Sequence, residues 1–92
     1  MSPGFKNHIN ALLSGGNADD AIKALEAYLQ TSGNDDEAYL LLGNAYRKCE
    51  NWEKAMNAYA RASELNPDSP AKDAYNMILQ ILNFYDTDRY NV

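Results

Sequence analysis

Tyr39-Leu40-Leu41-Leu42-Gly43-Asn44-Ala45-Tyr46, followed by Ala55-Met56-Asn57-Ala58-Tyr59 and then by Pro67, is the stretch that decides the fold of this chain. Tyr39, Leu42 and Tyr46 recur at helical spacing as one apolar stripe. Gly43 removes a side chain where a second helix must come close, and Ala55 does the same from the other side. The spacing therefore predicts small facing small at a helix crossing. Tyr59 supplies the ring that fills the hairpin. Pro67 ends the second helix, because a proline has no amide hydrogen to donate.

Working outward, an offset of 34 residues aligns Phe5 with Tyr39, Ala11 with Ala45, Leu12 with Tyr46, Asn17 with Asn51, Ala21 with Ala55 and Leu25 with Tyr59. A weaker copy of the hairpin thus precedes the strong one. It departs from the pattern where His8 and Ile9 stand in place of the Leu42-Gly43 pair, as terminal repeats often do. Five helices are expected, at about 4–14, 18–31, 36–49, 52–65 and 70–85. Ser14-Gly15-Gly16-Asn17 is a turn that supplies Asn17 as a cap, and Asn51 caps the helix opening at Trp52. Ser32-Gly33-Asn34-Asp35 and Asn66-Pro67-Asp68 break the chain again. Ser69 before Pro70 is a good helix start, since proline at the first helical position gives up a donor that was unpaired anyway.

This ordered spacing resembles the tetratricopeptide repeat (TPR) family over about residues 2 to 85, and the second repeat carries most of the specificity. The resemblance implies an all-α chain of two TPR helix-turn-helix hairpins plus a C-terminal capping helix, a fragment of a right-handed α-solenoid. The expected single domain runs over 1–92, with repeat one at about 2–35, repeat two at about 36–69, the closing helix at about 70–85 and a tail at 86–92. Carried forward by the same offset, the last helix would pack with Asp73, Asn76 and Gln80. A register shifted by one residue instead places Ala74, Met77, Ile78 and Ile81 on the packing face, and that register is expected. It leaves Tyr75, Leu79 and Leu82 facing elsewhere.

Ninety-two residues allow one modest core with little margin of stability. Thirteen acidic against eight basic residues make the chain acidic, which disfavours nucleic acid and anionic membranes as partners. The absence of a long apolar run and of an apolar leader at Met1 to His8 makes a cytoplasmic location the expectation. Cys49 is the only cysteine, so no intrachain disulfide is available.

An enzyme needs convergent reactive groups, and the inventory is thin, so no catalytic, cofactor or metal site is expected. His8 reads as a partly buried structural histidine at a packing position, without a second ligand nearby. Cys49 follows Lys48, which would lower its pKa slightly, and reads as an inert, half-buried thiol. Asp35-Asp36-Glu37 opens a helix, where negative charge complements the dipole. Trp52 is expected to pack over the hairpin turn against the neighbouring helix, with contact to a partner as its second reading.

In a stacked helical array the first helix of each hairpin lines a concave groove. The residues left over there after packing are Lys6, Asn10 and Leu13, then Leu40, Asn44 and Arg47, then Tyr75, Leu79 and Leu82. A protein or peptide segment would lay apolar side chains on Leu40, Leu79 and Tyr75, while Lys6, Arg47 and the asparagine amides take its backbone or a carboxylate. The resemblance also implies part of the two-carboxylate clamp of chaperone-cofactor TPR domains, with Lys6, Asn10 and Lys72 at matching positions. Leu41 and Asn76 replace its remaining Asn and Arg. The resulting expectation is a noncatalytic adaptor that binds a peptide or protein in the groove. The alternative is a homodimer through the apolar last helix, using Tyr75, Leu79, Leu82 and Phe84, with Tyr90 and Val92 of the tail as intrachain cover for the same surface.

Overall fold

Helix punctuation accounts for the architecture. The computed structural model describes the backbone of residues 1–90 and the side chains of residues 1–83. Its helices are α1 (Pro3–Ser14), α2 (Ala18–Thr31), α3 (Asp36–Lys48), α4 (Trp52–Leu65) and α5 (Ala71–Tyr90), with no strand among the described residues. Ser2 caps α1, its hydroxyl accepting the Phe5 amide at 3.2 Å, and Pro3 occupies the first helical position. Asp35 caps α3 through the Ala38 amide at 3.3 Å, and Asn51 caps α4 through the Lys54 amide at 3.3 Å. Asn17 sits at the cap position of α2 but makes no side-chain cap bond, a correction to its expected role. Ser69 is buried, and its hydroxyl accepts the Ala71 amide at 3.1 Å to start α5. That last helix runs to Tyr90, past the expected end near residue 85, so residues 86–90 continue the helix.

The two hairpin turns have the same wiring. Asn17 N–H donates to Leu12 C=O at 2.8 Å, and Asn51 N–H donates to Tyr46 C=O at 2.9 Å. Gly16 and Glu50 donate to the carbonyls of Leu13 and Arg47. This pair of bonds closes a helix end through one residue of positive φ. In the first turn that residue is Gly16 at φ 80°, and in the second it is Glu50 at φ 59°. A glutamate carries a Cβ into this left-handed region, which costs roughly 1–2 kcal/mol relative to a glycine free to adopt it.

Each helix packs on its neighbours in sequence, and α1 also reaches α3. One core cluster joins the first three helices through Ile9, Leu13, Ala21, Leu25, Leu41 and Ala45. A second, around Ala55, Tyr59, Ala62, Ala71 and Ile78, joins α4 to α5. Tyr39 and Tyr46 pack against both clusters and connect them.

Three corrections follow from the packing. Gly43 does not face Ala55 as small against small: the Tyr59 ring fills the space that a Cβ on Gly43 would take. His8 is exposed, and its neighbour Ile9 is the fully buried residue at that crossing. On α5 the buried stripe is Ala71 and Ile78, flanked by half-buried Ala74, Tyr75 and Leu82, whereas Met77 is 53% exposed. That face is rotated by roughly 70° from the expected one, at 100° per residue. Ala74 and Ile78 belong to both readings, Met77 only to the sequence reading, and Tyr75 and Leu82 only to the structure.

At the junction of the two hairpins, the Tyr28 hydroxyl donates to Asp35 Oδ2 at 2.6 Å, and the Met1 ammonium lies 3.0 Å from the same oxygen. Partial burial pushes the Asp35 carboxyl up, but the Tyr28 bond, the ammonium and the Ala38 amide together outweigh it and hold its pKa below the ordinary value of 3.8. A depressed carboxyl pKa contributes stability above the unfolded value that is lost as pH falls through the folded one. The thermal midpoint is therefore expected to drop by a few degrees as pH falls below about 4, with a shallower slope in Asp35→Asn. Scans of both proteins by circular dichroism check this. Equal slopes would remove Asp35 from the account.

Candidate functional site

Of the helices expected to line the groove, α3 is the central one, packed on α1, α2 and α4. Successive residues there divide by helical geometry: Leu41, Leu42 and Ala45 turn inward, while Leu40, Asn44 and Arg47 are only half-buried. Asn44 Oδ1 accepts the Tyr59 hydroxyl at 2.6 Å, which satisfies the polar end of a ring that is otherwise wholly buried. Burial raises the Tyr59 pKa, and the Arg47 guanidinium acts in the opposite direction, so Arg47 lies within electrostatic reach of the same hydroxyl. Asn44 and Arg47 are thus the partly uncovered polar residues of α3 nearest the Tyr59 hydroxyl, and Leu40 stands one turn before Asn44 on the same helix.

The other candidates are distributed around it. Lys6 pairs with Glu37 at 3.0 Å, which links α1 to α3 through two half-exposed side chains, and Asn10 is exposed. A rim ion pair of this kind is worth little on its own. Lys72 and Tyr75, with Asn76, line a separate cleft of about 440 Å3 whose other wall is Ala60, Ser63, Glu64 and Pro67 of α4 and the following linker. Leu41, at the third-helix position of the carboxylate clamp, is buried in the core, and so is Leu13, which the sequence reading put on the groove floor. The clamp positions are therefore spread among an α1–α3 ion pair, the core and an α4–α5 cleft.

For the apolar last helix, Leu79 is 39% exposed and Met77 more so, while Tyr75 and Leu82 spend part of their surface on the second core cluster. The side chains of Phe84 and Tyr90, and all of Val92, lie outside the described residues. A further cleft, of about 690 Å3, opens at the α3–α4 turn and is lined by Cys49, Glu50, Asn51, Trp52, Glu53, Met56 and Leu82. Sequence reasoning placed Trp52 over the turn, but it missed the cleft, because Leu82 reaches it from thirty residues further on.

Reactive groups do not converge. Cys49 is exposed rather than half-buried, and its thiol donates to Asp19 Oδ1 at 3.7 Å. Desolvation, followed by the Asp19 carboxylate, pushes its pKa up from 9.0, where proximity to Lys48 had suggested a slight lowering. No group of three or more His, Cys, Asp or Glu side chains suited to a metal ion occurs among the described residues. No described helix is long and apolar enough to cross a membrane.

Comparison with known proteins gives these features a context. The family profile described as tetratricopeptide repeat matches residues 12–78. Two human proteins, RANBP2-like and GRIP domain-containing protein 1 and protein 2, are each 41% identical to this chain over 64 residues. That stretch is 70% of this chain and 4% of each human protein, so the chain spans only a small fraction of these relatives. The solution NMR structure of Bacteroides fragilis protein BF1650 is similar with a TM-score of 0.83 and 50% identity, over 98% of this chain and 91% of that one.

Proposed function

Since the chain belongs to the tetratricopeptide repeat family, we propose that it works as a noncatalytic interaction module that holds a peptide or protein segment on the α1–α3–α5 face. The observation that carries this reading is Asn44, Arg47 and Leu40 left partly uncovered on one helix that is itself fixed by both core clusters. A rigid face with one fixed amide, one guanidinium and one apolar step suits a segment that offers a carboxylate next to an apolar side chain. Lys6 is available to such a ligand only in exchange for Glu37, so it contributes less than Arg47.

Selection from a display library of random dodecapeptides supplies the test. Peptides that bind the chain are expected to lose affinity at least about tenfold on Arg47→Glu, since a charge-assisted hydrogen bond is worth roughly 1.5–3 kcal/mol. Lys6→Glu should cost less, and solution mass by light scattering should be unchanged in both variants. A selection in which every binding peptide binds Arg47→Glu as well as the parent chain would falsify the groove reading. A second reading, a homodimer through α5, draws on the exposure of Met77 and Leu79. Under that reading, mass would rise with concentration and Leu79→Glu would abolish the rise.

A further inference from the structure

We propose that the cleft at the α3–α4 turn is a second binding surface, separate from the groove, and that it takes a short basic and apolar peptide segment of a partner protein. Its floor is Trp52, Met56 and Leu82, three apolar side chains from two helices that stay partly uncovered. Glu50 and Glu53 form the rim, and both are exposed. Among the described residues neither carboxylate has a hydrogen-bond or ion-pair partner.

The other polar groups of the lining are already engaged. Asn51 Oδ1 accepts the Lys54 amide, and the Cys49 thiol donates to Asp19. The nearby lysines turn elsewhere: Lys48 lines a different cleft with Leu13 and Asp19, and Lys54 stacks on the Tyr46 ring at 5.6 Å. The cleft therefore combines an apolar floor with uncompensated negative charge.

That combination selects its occupant. A lysine or arginine can lay its alkyl stem along Met56 and Leu82 while its head reaches Glu50 or Glu53. The Trp52 indole adds attraction for a cation over its face, and tryptophan in a partly closed pocket is a frequent binding anchor. Acidic segments and phosphates meet only repulsion here. A second copy of the chain is disfavoured because each carries a formal charge of −5, while the same excess steers a basic partner toward the rim.

Trp52 is the only tryptophan, so indole emission reports occupancy directly. The probe is the peptide Ac-Lys-Leu-Lys-Leu-Lys-amide, with a counterpart in which glutamate replaces each lysine. A saturable emission change is expected for the lysine peptide, half-complete in the range of about 10–500 μM. It should weaken at least about fivefold between about 50 and about 300 mM salt, and the glutamate peptide should give no saturation. Glu50→Gln combined with Glu53→Gln should weaken it about threefold to tenfold.

Glu50→Gly separates lost recognition from lost folding. It removes a rim carboxylate and relieves the backbone at φ 59°, so binding weakens while the thermal midpoint rises by roughly 4–16 °C. Arg47→Glu adds negative charge and so does not weaken this titration, which keeps failure of the groove distinct from failure of the cleft. Three results would overturn the proposal: no saturable change up to about 1 mM peptide, equal responses to both peptides, or an emission change when the protein alone is concentrated, which would mean that a second copy fills the cleft.

Discussion

Gly43→Ala is expected to cost about 2–3 kcal/mol and to lower the thermal midpoint by roughly 10–20 °C. A Cβ at this position would meet Cδ1 and Cε1 of Tyr59 at 2.5 Å and Cγ at 3.0 Å. These atoms belong to the root and middle of the ring, so the clash cannot be relieved by moving the tip of a flexible side chain. The ring is fully buried, and its hydroxyl is held by Asn44 at 2.6 Å, so swinging it away would break that bond as well. Against this stands the gain of roughly 1 kcal/mol that alanine brings to a helix interior in place of glycine, which is too small to compensate. The same balance supplies a control. On a Tyr59→Leu background the steric term falls away and Gly43→Ala should become neutral or slightly stabilising. Urea denaturation of the four proteins closes the cycle. A neutral effect in the parent chain would mean that the ring is not confined as described.

Ile78→Ala is expected to cost about 2–4 kcal/mol, within the usual range for emptying a buried aliphatic site. This is a large share of the stability of a small domain, which is on the order of 5–10 kcal/mol. Ile78 is 1% exposed, and with Ala71 it supplies the buried contacts of α5 in the second core cluster. The loss should therefore be local first. Hydrogen exchange is the informative measurement: α5 amides should exchange much faster while those of α2 and α3 stay protected. Uniform acceleration along the chain would show instead that α5 is part of a single cooperative unit with the rest.

How much of this was legible beforehand varied with the kind of contact involved. Helix boundaries were readable because the signals are local: Asp35, Asn51 and Ser69 act on backbone groups within three residues of themselves. The need for a small residue at Gly43 was also readable, but the identity of its neighbour was not. A spacing rule reports that something comes close, and here a ring from one helix turn further along α4 fills the gap. The face of α5 was misjudged because the helix is rich in apolar residues on several sides, so periodicity alone tolerates a rotation. Burial of Ala71 at the start of the helix decides the matter, and a small alanine gives little sequence signal. The candidate groove residues on α3 were found as the complement of its packing stripe, whereas Leu13 and His8 were misplaced in the less regular first repeat. The turn cleft depends on Leu82 meeting Trp52 across the fold, a pairing without a local signal.

Tyr39 and Tyr46 rest on both core clusters, and this gives the small chain a property that its repeat architecture would not by itself guarantee. Two hairpins with separate cores would behave as beads on a string, each melting at its own temperature and indifferent to the state of the other. Two phenol rings shared between the cores act as a splice at α3: α5, which rests on the second core alone, can loosen by itself, whereas disturbing α3 withdraws support from both cores. A ligand bound on α3 as proposed would therefore be expected to stiffen both cores at once.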